Sequence, residues 1–141
     1  MKSESAGALG NGNPAESRPQ DIRSRSFRYA LRAVKLYQHL QVAKDGAGWV
    51  LGKQYLRSAC SIGANIEEAQ ASESRADFVH KLGIAQKEAR ESLYWLRLLS
   101  ESGIVRKGRV VQLMKETEEL VSIVTTIVVK LGVALAMDSE S

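Results

Sequence analysis

Beyond Pro19 the chain contains no proline, and Pro14 is the only other one. Through that long remainder apolar residues return at steps of three and four. Proline inside a helix removes a backbone donor and clashes with the preceding turn, so its absence permits long uninterrupted helices. The step of three and four asks for them. Four segments carry the pattern, separated by turns containing Gly46, Gly103 or Gly108, or by the polar stretch around Ser72.

The first predicted helix runs from about Ser24 to Gln41, with Phe27, Ala30, Leu31, Val34, Tyr37 or Leu36, and Leu40 as its inner stripe. The second runs from about Val50 to Ala71, with Leu51, Tyr55, Ala59, Ile62 and Ile66 inward. Gly63 lies inside it at a local cost of about 1 kcal/mol, which points to a close backbone approach. The third runs from about Ser74 to Ser102. Ser74 and Asp77 resemble a capping pair, and Gly103 supplies a C-terminal stop. The fourth runs from about Val110 to Leu135. It is rich in β-branched residues, which favour strands, but the length of its periodic run favours helix. Four long amphipathic segments with short connections predict an all-α fold, an antiparallel up-and-down four-helix bundle. Residues 1–21 read as a flexible tail, 22–137 as the bundle and 138–141 as a second short tail.

An apolar fraction of 44% supports a sizeable core. Cys60 is the single cysteine, which excludes an intramolecular disulfide and suits a reducing cytoplasm. The first twenty residues are polar and carry no apolar leader. The stretch Ile123 to Ala136, broken by Thr125, Thr126, Lys130 and Gly132, reads as too short and too polar for a bilayer span. The expectation is a soluble cytoplasmic protein.

The net charge of +4 is unevenly spread. Residues 1–60 hold ten Lys/Arg against four Asp/Glu; residues 61–141 hold ten against twelve. Arg25, Arg28, Arg32 and Lys35 recur at steps of three and four, with Arg23 just before them. Like charges at that spacing repel, so a counter-anion would relieve them. Lys53 and Arg57 repeat the pattern, and Arg106, Lys107 and Arg109 cluster in a turn. These ten residues are the candidate phosphate-contacting set, against the alternative of an ordinary solvated face. Tyr29 and Tyr37 are the aromatics expected to border it.

Signatures of enzyme chemistry are missing: no phosphate loop, no nucleophile elbow, no CxxC pair. His39 and His80 have no second ligand at metal spacing. Glu67, Glu68, Glu88 and Glu91 suggest a di-metal carboxylate site, but glutamate stands where Glu-x-x-His needs histidine. Arg57, Lys87 and Arg90 are nearby cations that could pair with them. Cys60 reads as a small packing residue rather than a nucleophile. The expectation is a non-enzymatic protein without metal, cofactor or small-molecule substrate.

Apolar residues around Tyr94, Trp95 and Leu98 cover more of the third helix than one bundle can hide, which suggests a subunit interface. Ser61, Asn65 and Glu68 sit at helical spacing among core-type residues. Asn65 is expected to pair with a neighbouring helix and fix its register, as a buried asparagine does in coiled coils.

The block from Arg57 to Glu68 resembles the family of 23S rRNA intervening-sequence proteins. Gln54, Arg57, Ala59, Ser61, Ile62, Asn65, Ile66 and Glu68 match the family pattern in order. Phe78, Leu82, Ile84, Ala85 and Glu91 follow at suitable spacing. The likeness spans about Phe27 to Val129. Gly63 stands where proline is common, and Ala69 where the family usually has glycine, which would let the second helix continue a further turn. The resemblance implies an up-down four-helix bundle, a homopentamer arranged as a barrel, and association with nucleic acid; it brings no catalytic residues. The expected function is therefore an oligomeric bundle binding structured RNA or DNA through a basic surface. The alternative is a protein-interaction scaffold that binds no nucleic acid.

Overall fold

The computed structural model describes residues 19–140, which form four helices: α1 (Pro19–Val42), α2 (Gly46–Ala69), α3 (Arg75–Glu101) and α4 (Lys107–Glu140). No strand occurs among the described residues. The chain goes up and down, with α2 packed closely on α1 and on α3, α3 on α4, and only a lighter contact closing α1 against α4. The predicted flexible tail lies mostly outside the described residues. Positions 19–21 and 138–140 are helical rather than tails.

Local chemistry explains the ends. Proline is tolerated in a first turn, where its missing donor would be unsatisfied anyway, so α1 starts at Pro19, earlier than its apolar stripe suggests. The α2 N-terminus is set by Asp45, whose carboxylate accepts from the Gly48 backbone N–H at 3.0 Å. That cap makes helix of the Gly46-Ala47-Gly48 segment, which reads as a turn. The same helix stops at Ala69, not Ala71, with Gln70 N–H bonded back to the Glu67 carbonyl and Ala71 N–H to that of Glu68. Ser74 caps α3 by accepting from Asp77 N–H at 3.0 Å. Gly103, at φ +81°, takes the left-handed conformation that ends the helix region.

The core corrects the stripe assigned to α1. Its buried face is Ile22, Ser26, Tyr29, Ala33, Leu36 and Leu40, whereas Phe27, Leu31 and Val34 are 65%, 49% and 37% exposed. Two stripes share this helix, and the inner one contains a serine and a tyrosine that a count of apolar residues undervalues. On the other helices most of the expected faces are buried: Tyr55, Ala59, Ile62 and Ile66; Leu82, Ala85, Ala89, Ser92, Leu96 and Leu99; Leu113, Thr117, Leu120 and Val124; Leu51, Phe78 and Leu131, also expected inward, are half-buried. Gly63 does mark a close approach, since a Cβ there would lie 3.4 Å from the Ser26 carbonyl oxygen on α1.

A chain of hydroxyls crosses the core. Tyr55 donates to Tyr29 at 3.0 Å, Tyr29 reaches Thr117 Oγ1, and Thr117 donates to the Leu113 carbonyl at 2.6 Å. Beside it Ser58 meets Ser92 at 2.8 Å. All four helices contribute. Burial lifts the Tyr29 and Tyr55 phenols above their ordinary value, Tyr55 strongly.

Candidate nucleic-acid interface

The ten cations proposed from the sequence divide into two groups. Three are occupied in joining helices. Arg23 on α1 makes a two-pronged pair with Glu67 on α2, both bonds 2.9 Å. Arg25 leaves its expected solvent face and crosses to α4, where it meets Glu116 at 2.7 Å and Glu119 at 2.8 Å. Arg57 on α2 binds Glu91 and, at 3.4 Å, Glu88 on α3. The Arg23 hydrogen bond holds the Glu67 carboxyl below its ordinary value. The Glu91 carboxyl is lowered by the Trp95 indole N–H at 2.9 Å and then by Arg57.

The second group is free of carboxylates. Arg32, Lys35, Lys53, Arg106, Lys107 and Arg109 have no ion-pair partner among the described residues, and Arg28 donates to Ser24 Oγ at 2.6 Å. The fold gathers most of them. Arg32, Lys35 and Arg109 line a shallow groove of about 220 Å³ over Leu36 and Leu113, where α1 passes α4. Arg106 and Arg109 line a second hollow beside it, at the start of α4. Lys107 is the first residue of that helix, whose exposed N–H groups add positive potential there. Lys53 is exposed on α2 and lines neither hollow. Tyr29 does not border this surface; it is 1% exposed, inside the core.

The family-motif residues act between helices and within α2. Asn65 does not reach a neighbouring helix: its Nδ2 donates to the Ser61 carbonyl one turn back, at 2.8 Å. Ser61 likewise donates to the Arg57 carbonyl. Both lie at the border of the packed face, close enough to the helix backbone to satisfy themselves locally. Glu68 is exposed and lies 3.5 Å from Lys81. Gln54 is exposed without a side-chain hydrogen bond among the described residues. The buried inter-helix hydrogen bonds join Tyr29, Tyr55 and Thr117, and Ser58 with Ser92; their signal was a hydroxyl at each core-spaced position.

The four glutamates considered for a metal face cations instead. Among the described residues no group of three or more His, Cys, Asp or Glu is placed to hold an ion. Cys60 is half-buried and its thiol is pushed up by burial, away from the reactive thiolate.

Of the proposed subunit interface, Tyr94 is 54% exposed and stacks edge-on against Trp95, while Trp95 and Leu98 are half-buried. The larger uncovered apolar sets are Phe27, Leu31 and Val34 on α1 and Val129, Val133 and Met137 on α4. The Lys107–Asp138 stretch is long and apolar enough, by length and composition alone, to match a bilayer span, contrary to the sequence reading.

No functionally curated protein matches the chain. A crystal structure of a protein of unknown function from the S23 ribosomal protein family of Bacteroides thetaiotaomicron is similar, with 37% identity and a TM-score of 0.72. The match covers 78% of this chain and 96% of that one. The family model for the 23S rRNA-intervening sequence protein matches residues 18–126. Motif block, helical architecture and match together place this chain in the 23S rRNA-intervening sequence protein family.

Proposed function

We propose that the protein is a non-enzymatic, self-associating bundle that binds the phosphate backbone of nucleic acid, structured RNA above all. The observation carrying this is the groove between α1 and α4, where Arg32, Lys35 and Arg109 converge without a carboxylate partner among the described residues. Uncompensated cations on one surface repel each other, and an anionic polymer relieves that repulsion while releasing its own counterions. Arg106, Lys107 and the α4 N-terminus extend the same field. Backbone contacts of this kind give affinity and orientation without reading sequence. No cofactor or small-molecule substrate enters this reading.

Binding to a structured RNA, followed by fluorescence anisotropy at stepped salt, tests it. The affinity should fall steeply with salt. The triple variant Arg32→Ala/Lys35→Ala/Arg109→Ala should flatten the log–log slope by about two to three, near one unit per lost phosphate contact. Arg25→Ala, whose partner is protein, should leave the slope unchanged. Absence of binding at low salt, or a slope unmoved by the triple variant, overturns the proposal. A protein partner retained through nuclease and high salt would favour the scaffold alternative, which the uncovered apolar faces support.

A further inference from the structure

The bundle is a cycle of four helices with one weak side. α1 holds to α2 at both ends, by Arg23 to Glu67 and by the Trp49 indole N–H to the Leu40 carbonyl at 3.1 Å. Arg57 and the Ser58–Ser92 bond tie α2 to α3, and Gln86 to Thr125 at 2.7 Å ties α3 to α4. The α1–α4 seam, which closes the cycle, has the lightest contact.

That seam is built in layers. As α1 advances from Arg25 to Lys35, its neighbours on α4 recede from Glu119 to Arg109, so the two helices run antiparallel in one register. The first layer is Arg25 on Glu116 and Glu119. The second, one turn on, is Tyr29 on Thr117. In the third, Leu36 and Leu113 floor the groove, and Arg32, Lys35 and Arg109 stand round it. The first two layers attract across the seam. The third repels, because its three cations have no carboxylate between them among the described residues. The third layer also reaches the second: burial raises the Tyr29 and Tyr55 phenols, and the Arg32 charge opposes that rise at both.

We propose that one phosphate group bridging Arg32 and Lys35 to Arg109 is the tie this third layer lacks, so that ligand binding and closure of α1 on α4 are a single equilibrium. This rests on the phosphate-contacting groove of the proposed function and adds what binding does to the protein. The chemistry selects phosphate. Two guanidinium forks and an ammonium reach in from two helices, and a tetrahedral group has an oxygen for each, whereas a carboxylate has two. A bound anion turns mutual repulsion into attraction to one centre. The groove shares Arg109 with the hollow lined by Arg106, so a neighbouring phosphate of the same strand also has cations to meet. Tyr29 and Thr117 are positioning residues. They touch no ligand, and their bond holds the register that sets Arg109 opposite Arg32 and Lys35.

Hydrogen exchange of the full chain, alone and with inorganic phosphate or a short RNA duplex, tests the linkage. A ligand that must leave before the seam opens slows exchange in proportion to its concentration over its dissociation constant. At about a hundred times that constant, amides of α1 from Arg32 to Leu40 and of α4 from Arg109 to Thr117 should exchange about a hundredfold more slowly with either ligand. Tyr29→Phe should weaken the binding of both by about tenfold, since fewer molecules hold the closed register. Ile66→Val, a core change on α2, which does not pack on α4, should leave both affinities unchanged. Duplex binding without slowed exchange in these segments overturns the clamp and leaves the proposed function standing. Slowed exchange with inorganic phosphate but no binding of duplex supports the clamp and overturns the nucleic-acid reading. No binding of either overturns both. Equal weakening by Tyr29→Phe and Ile66→Val overturns the positioning role of the Tyr29–Thr117 bond.

Discussion

The phenol oxygen of Tyr29 on α1 lies 2.5 Å from Oγ1 of Thr117 on α4, across 88 residues of sequence. The two helices otherwise touch lightly, so this bond and the Arg25 pair to Glu116 and Glu119 are what align them. Each hydroxyl donates onward once: Tyr55 to Tyr29, Tyr29 to Thr117, Thr117 to the Leu113 carbonyl. A slip of α1 by one residue would leave the buried Tyr29 and Tyr55 oxygens unpaired, which is how such a chain specifies register.

Tyr29→Phe removes the central link and strands the Tyr55 hydroxyl. We expect a loss of about 1–3 kcal/mol, the cost of an unsatisfied buried polar group. Tyr55→Phe removes only a terminal donor and should cost less, about 1 kcal/mol or under. Urea unfolding of both variants measures the difference; equal losses would refute the directional chain.

Alkaline pH should strain the same place. Both phenols are raised above the ordinary 10.0, chiefly by burial. Their contribution is complete below pH 10 and is lost as pH rises toward their folded values, because the unfolded chain releases its protons first. Thermal melts should therefore fall above pH 10, and the decline should be shallower in Tyr55→Phe.

On the acid side the sign reverses. The Glu91 carboxyl is lowered from 4.5 by Trp95 and Arg57, so its contribution is present above pH 4.5 and is lost as pH falls through the lowered value. The pair is largely exposed, which limits it to under about 1 kcal/mol. Indole fluorescence of a Trp49→Phe background should report the acid transition of Trp95, and Arg57→Ala should move that transition to higher pH.

Two glycines predict opposite outcomes. A Cβ at Gly52 would meet Leu40 Cδ1 at 2.6 Å and Tyr37 Cδ1 at 3.3 Å, within the α1–α2 seam. Gly52→Ala should lose about 1–2 kcal/mol through overpacking, after the helix-propensity gain. Gly83 has open space around it on α3, so Gly83→Ala should gain about 0.5–1 kcal/mol. Chemical denaturation of each variant checks the sign.

Arg25→Ala should lower stability by about 1 kcal/mol, since its ion pairs to Glu116 and Glu119 are partly shielded from solvent. Arg32→Ala should leave the melting temperature within error, because no carboxylate among the described residues holds it. A melt that falls equally in both would contradict the division of the basic set.

Periodicity by itself determined the four helices, their order and the inward faces of α2, α3 and α4. Spacing is a local property, and residues such as Leu82, Ala85, Ala89 and Leu96 can satisfy it in only one way. The motif block from Arg57 to Glu68 likewise carried the family. Tertiary structure decided the rest. On α1, two stripes have acceptable spacing, and the choice of Tyr29 over Phe27 depends on hydroxyl partners supplied by α2 and α4. Which arginines remain available is equally non-local: Arg25 and Arg32 share a helix face and a charge. One is pinned because Glu116 and Glu119 stand opposite it, and the other stays open because Arg109 stands there instead. Asn65 shows the converse, a polar residue whose own backbone was near enough to satisfy it before any neighbour could.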